Sequence, residues 1–277
     1  LSTEKTQAVD TFEEYKQIPG VNWSTLKSLR VSPKQYQHDI NVEREDAAHF
    51  RIGRAAHGFI LEPDTFEQRF VCYHDRRSGK WWDEFKADNA GKEILNKTEW
   101  VKAISTATAM ISHPIASDFL LKGLKEHVIT WTDKKTGIDC KGRLDLVNGK
   151  LVDIKTTSSL IPRLFATQVA RLAYHGQLAF YKDGLAANGI EVEPQPILIA
   201  ADTSPPHDVV VYRLTIEALE RGREEYRELL SLLKRCTDDK RWPGLAEDGI
   251  VDLDLPAWCY VDQDDAPLTV GGESMEF

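Results

Sequence analysis

Apolar and polar positions along this chain change period several times, and each change marks an element. From 127 to 132 the residues alternate and favour strands, so a sheet is expected to begin at Glu126. Lys135-Thr136-Gly137 then turns the chain. Alternation resumes over 138–147, where Leu144 and Leu146 are interleaved with Arg143 and Asp145, and again over 151–155. Asn148-Gly149 lies between these runs and tolerates positive φ, which predicts a hairpin. Two more strands are expected over 196–202 and 208–214, joined around Pro205-Pro206, and a short one over 70–73. Helical spacing governs most of the remainder. Ala55, Ala56, Phe59 and Ile60 form a stripe on a helix over 47–61 that stops before Pro63. Residues 83–123 read as helical, with Thr98 as a cap and Pro114 as a break. Pro162 opens a long helix reaching about Ala187, and Thr215 caps another to about Arg235. Short helices are expected over 1–40, capped by Ser24 and Ser32 with Pro33 at a first helical position, and a charged loop over 39–46. Residues 238–277 are rich in Pro, Gly and Asp and read as irregular, with Trp258 docked and the last ten residues poorly ordered.

The hairpin carries the first chemistry. Asp153 and Lys155 are two apart on a strand and share a face, and Asp145 lies on the preceding strand. Asp–Lys pairs on strands are commonly a solvated face. Here Leu144, Leu146, Val152 and Ile154 make the hairpin core, and charges in a core require partners or a metal. Two carboxylates and an ammonium at one strand end suit a hard cation and an activated water. Parity poses a test. An ideal two-residue Asn-Gly turn pairs Asp145 with Val152 and points it away from Asp153. A working site therefore needs one extra residue or a bend between Arg143 and Lys150.

These residues resemble a known family. Gly142-Arg143-Leu144-Asp145 followed by Asp153-Ile154-Lys155 is similar to the restriction-endonuclease-like PD-(D/E)xK superfamily, in its RecB-type nuclease branch. That branch also carries a helical histidine upstream, matched by His57 in Gly53-Arg54-Ala55-Ala56-His57, and a Gln-x-x-x-Tyr motif, matched by Gln177 and Tyr181. Asn22-Trp23-Ser24-Thr25-Leu26-Lys27 and Ser32-Pro33 extend the resemblance to the exonuclease VIII (RecE) family, over roughly residues 20–260. It implies an α/β fold: a mixed central sheet flanked by helices, with a helical N-terminal part. It implies metal ligation by His57, Asp145, Asp153 and the Ile154 carbonyl. Lys155 would position the water, and Gln177 and Tyr181 would face the site from their helix. Glu126 is either a further carboxylate at the site or a salt-bridged strand-end glutamate.

Length and charge narrow the picture. The 277 residues allow one large domain or two small ones. With the resemblance, residues 1–265 are expected to form one nuclease domain: a helical part to about 123, a catalytic core over 124–237 and an irregular segment, with 266–277 a flexible tail. No apolar run is long enough to span a bilayer and no signal-peptide pattern occurs. Residue 1 is Leu, which points to a fragment or a processed form. The formal charge of −9 argues against nucleic-acid binding over the whole surface. A nuclease of this charge must gather its cations on one face. Arg76, Arg77 and Lys80 beside Trp81 and Trp82 could bind phosphate and stack on bases, or could form a loop whose tryptophans anchor the next helix. Lys141, Arg143, Thr156, Thr157, Arg163 and Arg171 are the other expected DNA contacts. The four cysteines are scattered without a C-x-x-C pair, which fits reduced thiols in a cytoplasmic protein and leaves no zinc or iron–sulfur pattern.

The expected activity is Mg²⁺-dependent hydrolysis of DNA phosphodiesters, with Mn²⁺ as a substitute. The resemblance further implies a processive 5′-to-3′ exonuclease on linear duplex ends, of phage or prophage type, serving recombination and repair. It also implies a ring-shaped homo-oligomer and a strand-annealing recombinase as partner. The rival readings are an endonuclease or CRISPR-adaptation-type nuclease of the same superfamily, and a catalytically inactive DNA-binding module.

Overall fold

The computed structural model describes residues 12–42, 46–247 and 249–255, together with 269–270 and 273–274. Helices α1 (Phe12–Gln17), α2 (Trp23–Leu26) and α3 (Pro33–Asn41) come first, followed by α4 (Ala48–Leu61) and α5 (Phe66–Arg69). Next come β1 (Phe70–Tyr73), α6 (Lys80–Asp88), β2 (Glu93–Asn96), α7 (Lys97–Ser112) and α8 (Pro114–Leu120). The central elements are β3 (Leu124–Thr132), β4 (Asp139–Val147), β5 (Leu151–Thr157), α9 (Pro162–Leu172) and α10 (Tyr174–Ala187). The chain continues through β6 (Ile197–Asp202), β7 (Val209–Arg213), α11 (Ile216–Asp239) and the two-residue strands β8 (Thr269–Val270) and β9 (Glu273–Ser274).

The main sheet has five strands in the order β3-β4-β5-β6-β7. Only β5 and β6 run parallel, and the helical crossover between them supplies α9 and α10. One face of the sheet packs against α2, α10 and α11 through Trp23, Phe180, Tyr226, Leu144 and Leu198. The other packs against α4, α7 and α8, where Ala56, Ile60, Ala107 and Met110 meet Leu146, Val152 and Ile154. This is the mixed α/β architecture that the family resemblance implied. Gly142 shows how tightly α10 closes on β4. A Cβ there would lie 2.9 Å from the Tyr181 ring, so only glycine admits that helix.

Several local expectations are corrected. Asn22, not Ser24, caps α2, accepting from the Thr25 N–H at 2.9 Å; Ser32 caps α3 as expected. The span 83–123 is not all helix. It contains β2, which pairs in parallel with β1, and α7 is capped by Asn96 in a capping box with Glu99 rather than by Thr98. The long helix expected from Pro162 breaks at Ala173, which adopts φ +57 between α9 and α10. Arg30 explains part of this end, since its guanidinium donates to the Arg171 and Ala170 carbonyls and satisfies the last turn of α9 from another element. Thr156 and Thr157 extend β5 two residues beyond the expected 151–155. Residue Trp258 and most of the last ten residues lie outside the described residues.

Candidate active site

The β4–β5 connection gains the residue that parity demanded. The two strands pair only at Leu146↔Val152 and Val147↔Leu151, which leaves Asn148-Gly149-Lys150 as a three-residue loop. Gly149 takes φ +77, and the Asn148 N–H donates to the Lys150 carbonyl at 3.1 Å. Continuing that register sets Asp145 opposite Asp153, but the ladder ends first. In its place the Ile154 N–H donates to Asp145 Oδ2 at 2.7 Å. On the other flank, β3 and β4 keep one register on both sides of a skipped pair, Glu126 and Asp145. Glu126 sits there at φ +49, a left-handed conformation that costs a non-glycine residue about 1–3 kcal/mol. The rotation at Asp145 shows in its neighbours, because Leu144 and Leu146 enter opposite core clusters although they are two apart.

Four groups meet at this distortion. Asp153 is only 2% exposed, and its Oδ2 lies 2.7 Å from Lys155 Nζ. That oxygen has no aligned hydrogen bond among the described residues despite the ion pair. Lys155 Nζ also stands 4.6 Å above the Tyr174 ring. His57, carried by α4, brings Nδ1 to 3.7 Å from Asp145 Oδ2. Burial, and then the Lys155 charge, lower the imidazole to about 4, so it is neutral near pH 7. Burial raises Asp153 to about 6 against the pull of Lys155, and it raises Asp145 as well. Burial opposes the Lys155 ammonium, yet Asp153 and Asp145 outweigh it and hold its pKa above the usual lysine value. Glu126 is pushed up to about 8, by burial first and then by Asp145.

A second layer of charge surrounds this centre. Arg143 donates to Glu62 Oε1 at 3.0 Å and pairs with Glu126 Oε2 at 2.8 Å, and Glu62 also binds Arg69. Glu126 is therefore both beside Asp145 and salt-bridged. Arg143, expected at phosphates, is committed to two carboxylates. Arg143→Met is expected to cost roughly 1–3 kcal/mol, because it leaves the mostly buried Glu126 without its paired cation while Glu62 keeps Arg69. Denaturant unfolding of the metal-free protein reads this directly, and a loss below about 1 kcal/mol would reduce the network to a surface ion pair.

Except for the buried Asp153, these groups line a cleft of about 990 Å³. His57, Glu126, Arg143, Asp145, Ile154, Lys155, Thr156, Thr157, Arg171 and Tyr181 all face it. Gln177 does not line the cleft and lies beside the Tyr181 hydroxyl. The Thr157 hydroxyl is spent on Gln168 Oε1 at 2.8 Å. Arg163, Arg76, Arg77, Lys80, Trp81 and Trp82 do not line the cleft. Arg77 donates to the Ile94 carbonyl at 2.6 Å and stands over Trp82, which also packs on Tyr73. Trp81 is 78% exposed. Lys141, expected to meet phosphates, is buried. Its ammonium donates to the carbonyls of Tyr15, Lys16 and Ile18 at 3.1, 3.1 and 2.6 Å and anchors α1 against β4. The sequence reading missed α1 as a cleft wall, through Phe12, Tyr15 and Lys16, and it missed Glu62 and Arg69. Glu62 carried no signal beyond its place between the expected 47–61 helix and Pro63.

The donor set suits a hard divalent cation: a neutral imidazole, two carboxyls whose charge the site disfavours, and a buried carboxylate oxygen without an aligned donor. Among the described residues no three His, Cys, Asp or Glu side chains stand close enough to enclose an ion as they are. The Lys155 ammonium supplies the positive charge at Asp153. Cys72, Cys140 and Cys236 are free thiols. No described helix is long and apolar enough to cross a membrane.

A five-stranded mixed sheet, with an Asp–x–Lys strand beside a distorted Asp-bearing hairpin and a helical histidine, defines a PDDEXK-like nuclease fold. Within it, this chain belongs to the PDDEXK-like domain family of unknown function DUF3799, which matches residues 22–249. No curated protein matches the sequence. A crystal structure from Eubacterium rectale, of a protein described as a candidate exonuclease, shares the fold with a TM-score of 0.62. It is 14% identical and covers 94% of this chain and 98% of its own. The structure of SSO0001, at 15% identity and a TM-score of 0.28 over 74% of this chain and 84% of its own, carries no weight for the fold.

Proposed function

We propose that this protein is a divalent-metal-dependent deoxyribonuclease. The observation that carries the reading is the convergence of His57, Asp145 and Lys155 on one cleft from two strands and one helix, with the buried Asp153 held against Lys155. Asp145, Asp153, His57 and the Ile154 carbonyl would hold Mg²⁺, or Mn²⁺ in its place, with Glu126 adjoining. When bound, the cation offsets charge on the attacking and leaving oxygens of the phosphodiester. Lys155 remains protonated near pH 7, so it orients the water through donated hydrogen bonds and does not abstract its proton. Tyr174 holds the ammonium from the other side.

The narrower reading rests on the sequence resemblance to exonuclease VIII: processive 5′-to-3′ digestion of linear duplex that leaves single-stranded tails for recombination. A ring-shaped homo-oligomer and an annealing recombinase as partner belong to that reading. One assay separates the possibilities. Purified protein is incubated with linear and with covalently closed circular duplex, in Mg²⁺, Mn²⁺ or chelator, and released nucleotides are counted. Metal-dependent release from linear DNA alone supports an exonuclease. Cutting of the circle favours an endonuclease or CRISPR-adaptation-type enzyme. Binding without cleavage in either metal leaves a DNA-binding module.

The tryptophan pair gives a separate prediction. Trp82 packs on Tyr73 and beneath Arg77, whereas Trp81 is exposed. Trp82→Ala is expected to lower the melting temperature and Trp81→Ala to leave it unchanged. If this surface meets DNA outside the cleft, Trp81→Ala weakens duplex-end binding by about 1–3 kcal/mol. Unchanged binding by Trp81→Ala removes the segment from the DNA path.

A further inference from the structure

The hydrolytic chemistry leaves two exposed phenylalanines of the cleft without a task. Phe12 on α1 is 41% exposed, and Phe50 in the first turn of α4 is 48% exposed, and both line the cleft. A single exposed phenylalanine needs no explanation. Two in one charged cleft do.

Their placement follows the axis of α4. Phe50 precedes His57 by seven residues, which is about 10 Å at 1.5 Å per residue. Arg143 fixes Phe12 near the other end of the helix. Its guanidinium lies 5.3 Å from the Phe12 ring and binds Glu62, the residue that closes α4. Phe50 and Glu62 are twelve residues apart, or about 18 Å along the helix. That separation corresponds to about five nucleotides at the 3.4 Å rise of a stacked strand. Along α4, His57 lies between Phe50 and Glu62.

Both rings have the surroundings of a base platform. Phe12 stacks on Tyr15 at 6.1 Å and 26°, with Lys16 Nζ 4.9 Å from its ring. The segment that carries it is anchored, because Lys141 binds three carbonyls at the end of α1. Phe50 neighbours the His49 ring at 4.1 Å, and Arg54, whose guanidinium pairs with Asp46 and Glu93, lines the cleft one turn further on. Aromatic faces interleaved with cations are the physical means of holding a single strand, since every base offers a π-face and every linkage a charge. In a closed duplex the base faces are already stacked, so platforms on a cleft wall can engage only unpaired bases.

We propose that Phe12 and Phe50 are substrate-positioning residues that stack on unpaired bases to either side of the scissile phosphate, so that the cleft admits one strand and not a closed duplex. This rests on the reading of the cleft as a nuclease site. The test compares a short labelled single strand with an abasic strand of equal length, by fluorescence anisotropy in chelator, where no cleavage occurs. The natural strand is expected to bind about five- to a hundred-fold more tightly. Phe12→Leu and Phe50→Leu, which keep apolar bulk, should each erode that preference, and Phe→Trp at either position should restore it. The salt dependence of binding should not change, because no phosphate contact is lost. Equal binding of natural and abasic strands by the unmodified protein overturns the inference while leaving the nuclease reading to its own cleavage assay. A preference that survives both leucine variants also overturns it. If neither strand binds and linear DNA is not cut, the nuclease reading fails and the inference falls with it.

Discussion

Asp153→Asn is expected to abolish cleavage, with a loss of at least about 10³-fold, while the fold and DNA binding persist. Removing a single group that stabilises developing charge typically costs about 10²–10³ in turnover. Asp153 does more than one such group, because it is both a proposed cation ligand and the partner that fixes Lys155 at 2.7 Å. Asparagine preserves the shape and removes a charge that burial and the neighbouring Asp145 already disfavour. The metal-free melting temperature should therefore stay within a few degrees of the parent. Single-turnover cleavage of linear duplex in Mg²⁺ checks the rate, and a circular dichroism melt checks the fold. A variant that still cuts near the parent rate removes Asp153 from the mechanism.

Lys155→Ala is expected to lower turnover by about 10²–10⁴, the range of a well-placed proton-handling or water-orienting group. Affinity for Mg²⁺ should survive, since the ligands remain. Without metal the variant leaves Asp145 and Asp153 facing each other with no nearby ammonium, so its melting temperature should fall. Added Mg²⁺ should recover much of that loss by binding only the folded form. Calorimetry and metal-dependent melting distinguish this from a ligand role. Collapse of Mg²⁺ binding with a normal residual rate in saturating Mn²⁺ would show that Lys155 shapes the metal site and does not act on water.

The two predictions differ in what they owe to the third dimension. Asp153 and Lys155 share a face through the two-residue repeat of a strand, a local rule that needs no partner. Asp145 does not follow so directly. Parity placed it on the wrong face and demanded one extra residue, and the three-residue Asn148-Gly149-Lys150 loop provides it. The skipped Glu126–Asp145 pair and the left-handed Glu126 could not be foreseen, because they arise from β3 and β4 accommodating two buried carboxylates side by side.

The amino-acid order by itself determined the alternating hairpin, several helix ends and the shared strand face of Asp153 and Lys155. Each depends on interactions within a few residues: periodicity, a cap, a turn. Tertiary structure alone decided where the cations go. Lys141 and Arg143 flank Asp145 in sequence and looked alike, yet one closes the end of α1 through three carbonyls and the other joins Glu62 to Glu126. Ala173 ends α9 where Arg30 supplies the donors for the Ala170 and Arg171 carbonyls. A charged side chain takes whichever partner best offsets its desolvation. For Lys141 that partner lies more than a hundred residues away in the chain, and for Arg143 one of its two carboxylates is eighty-one residues distant, so only folding brings them together.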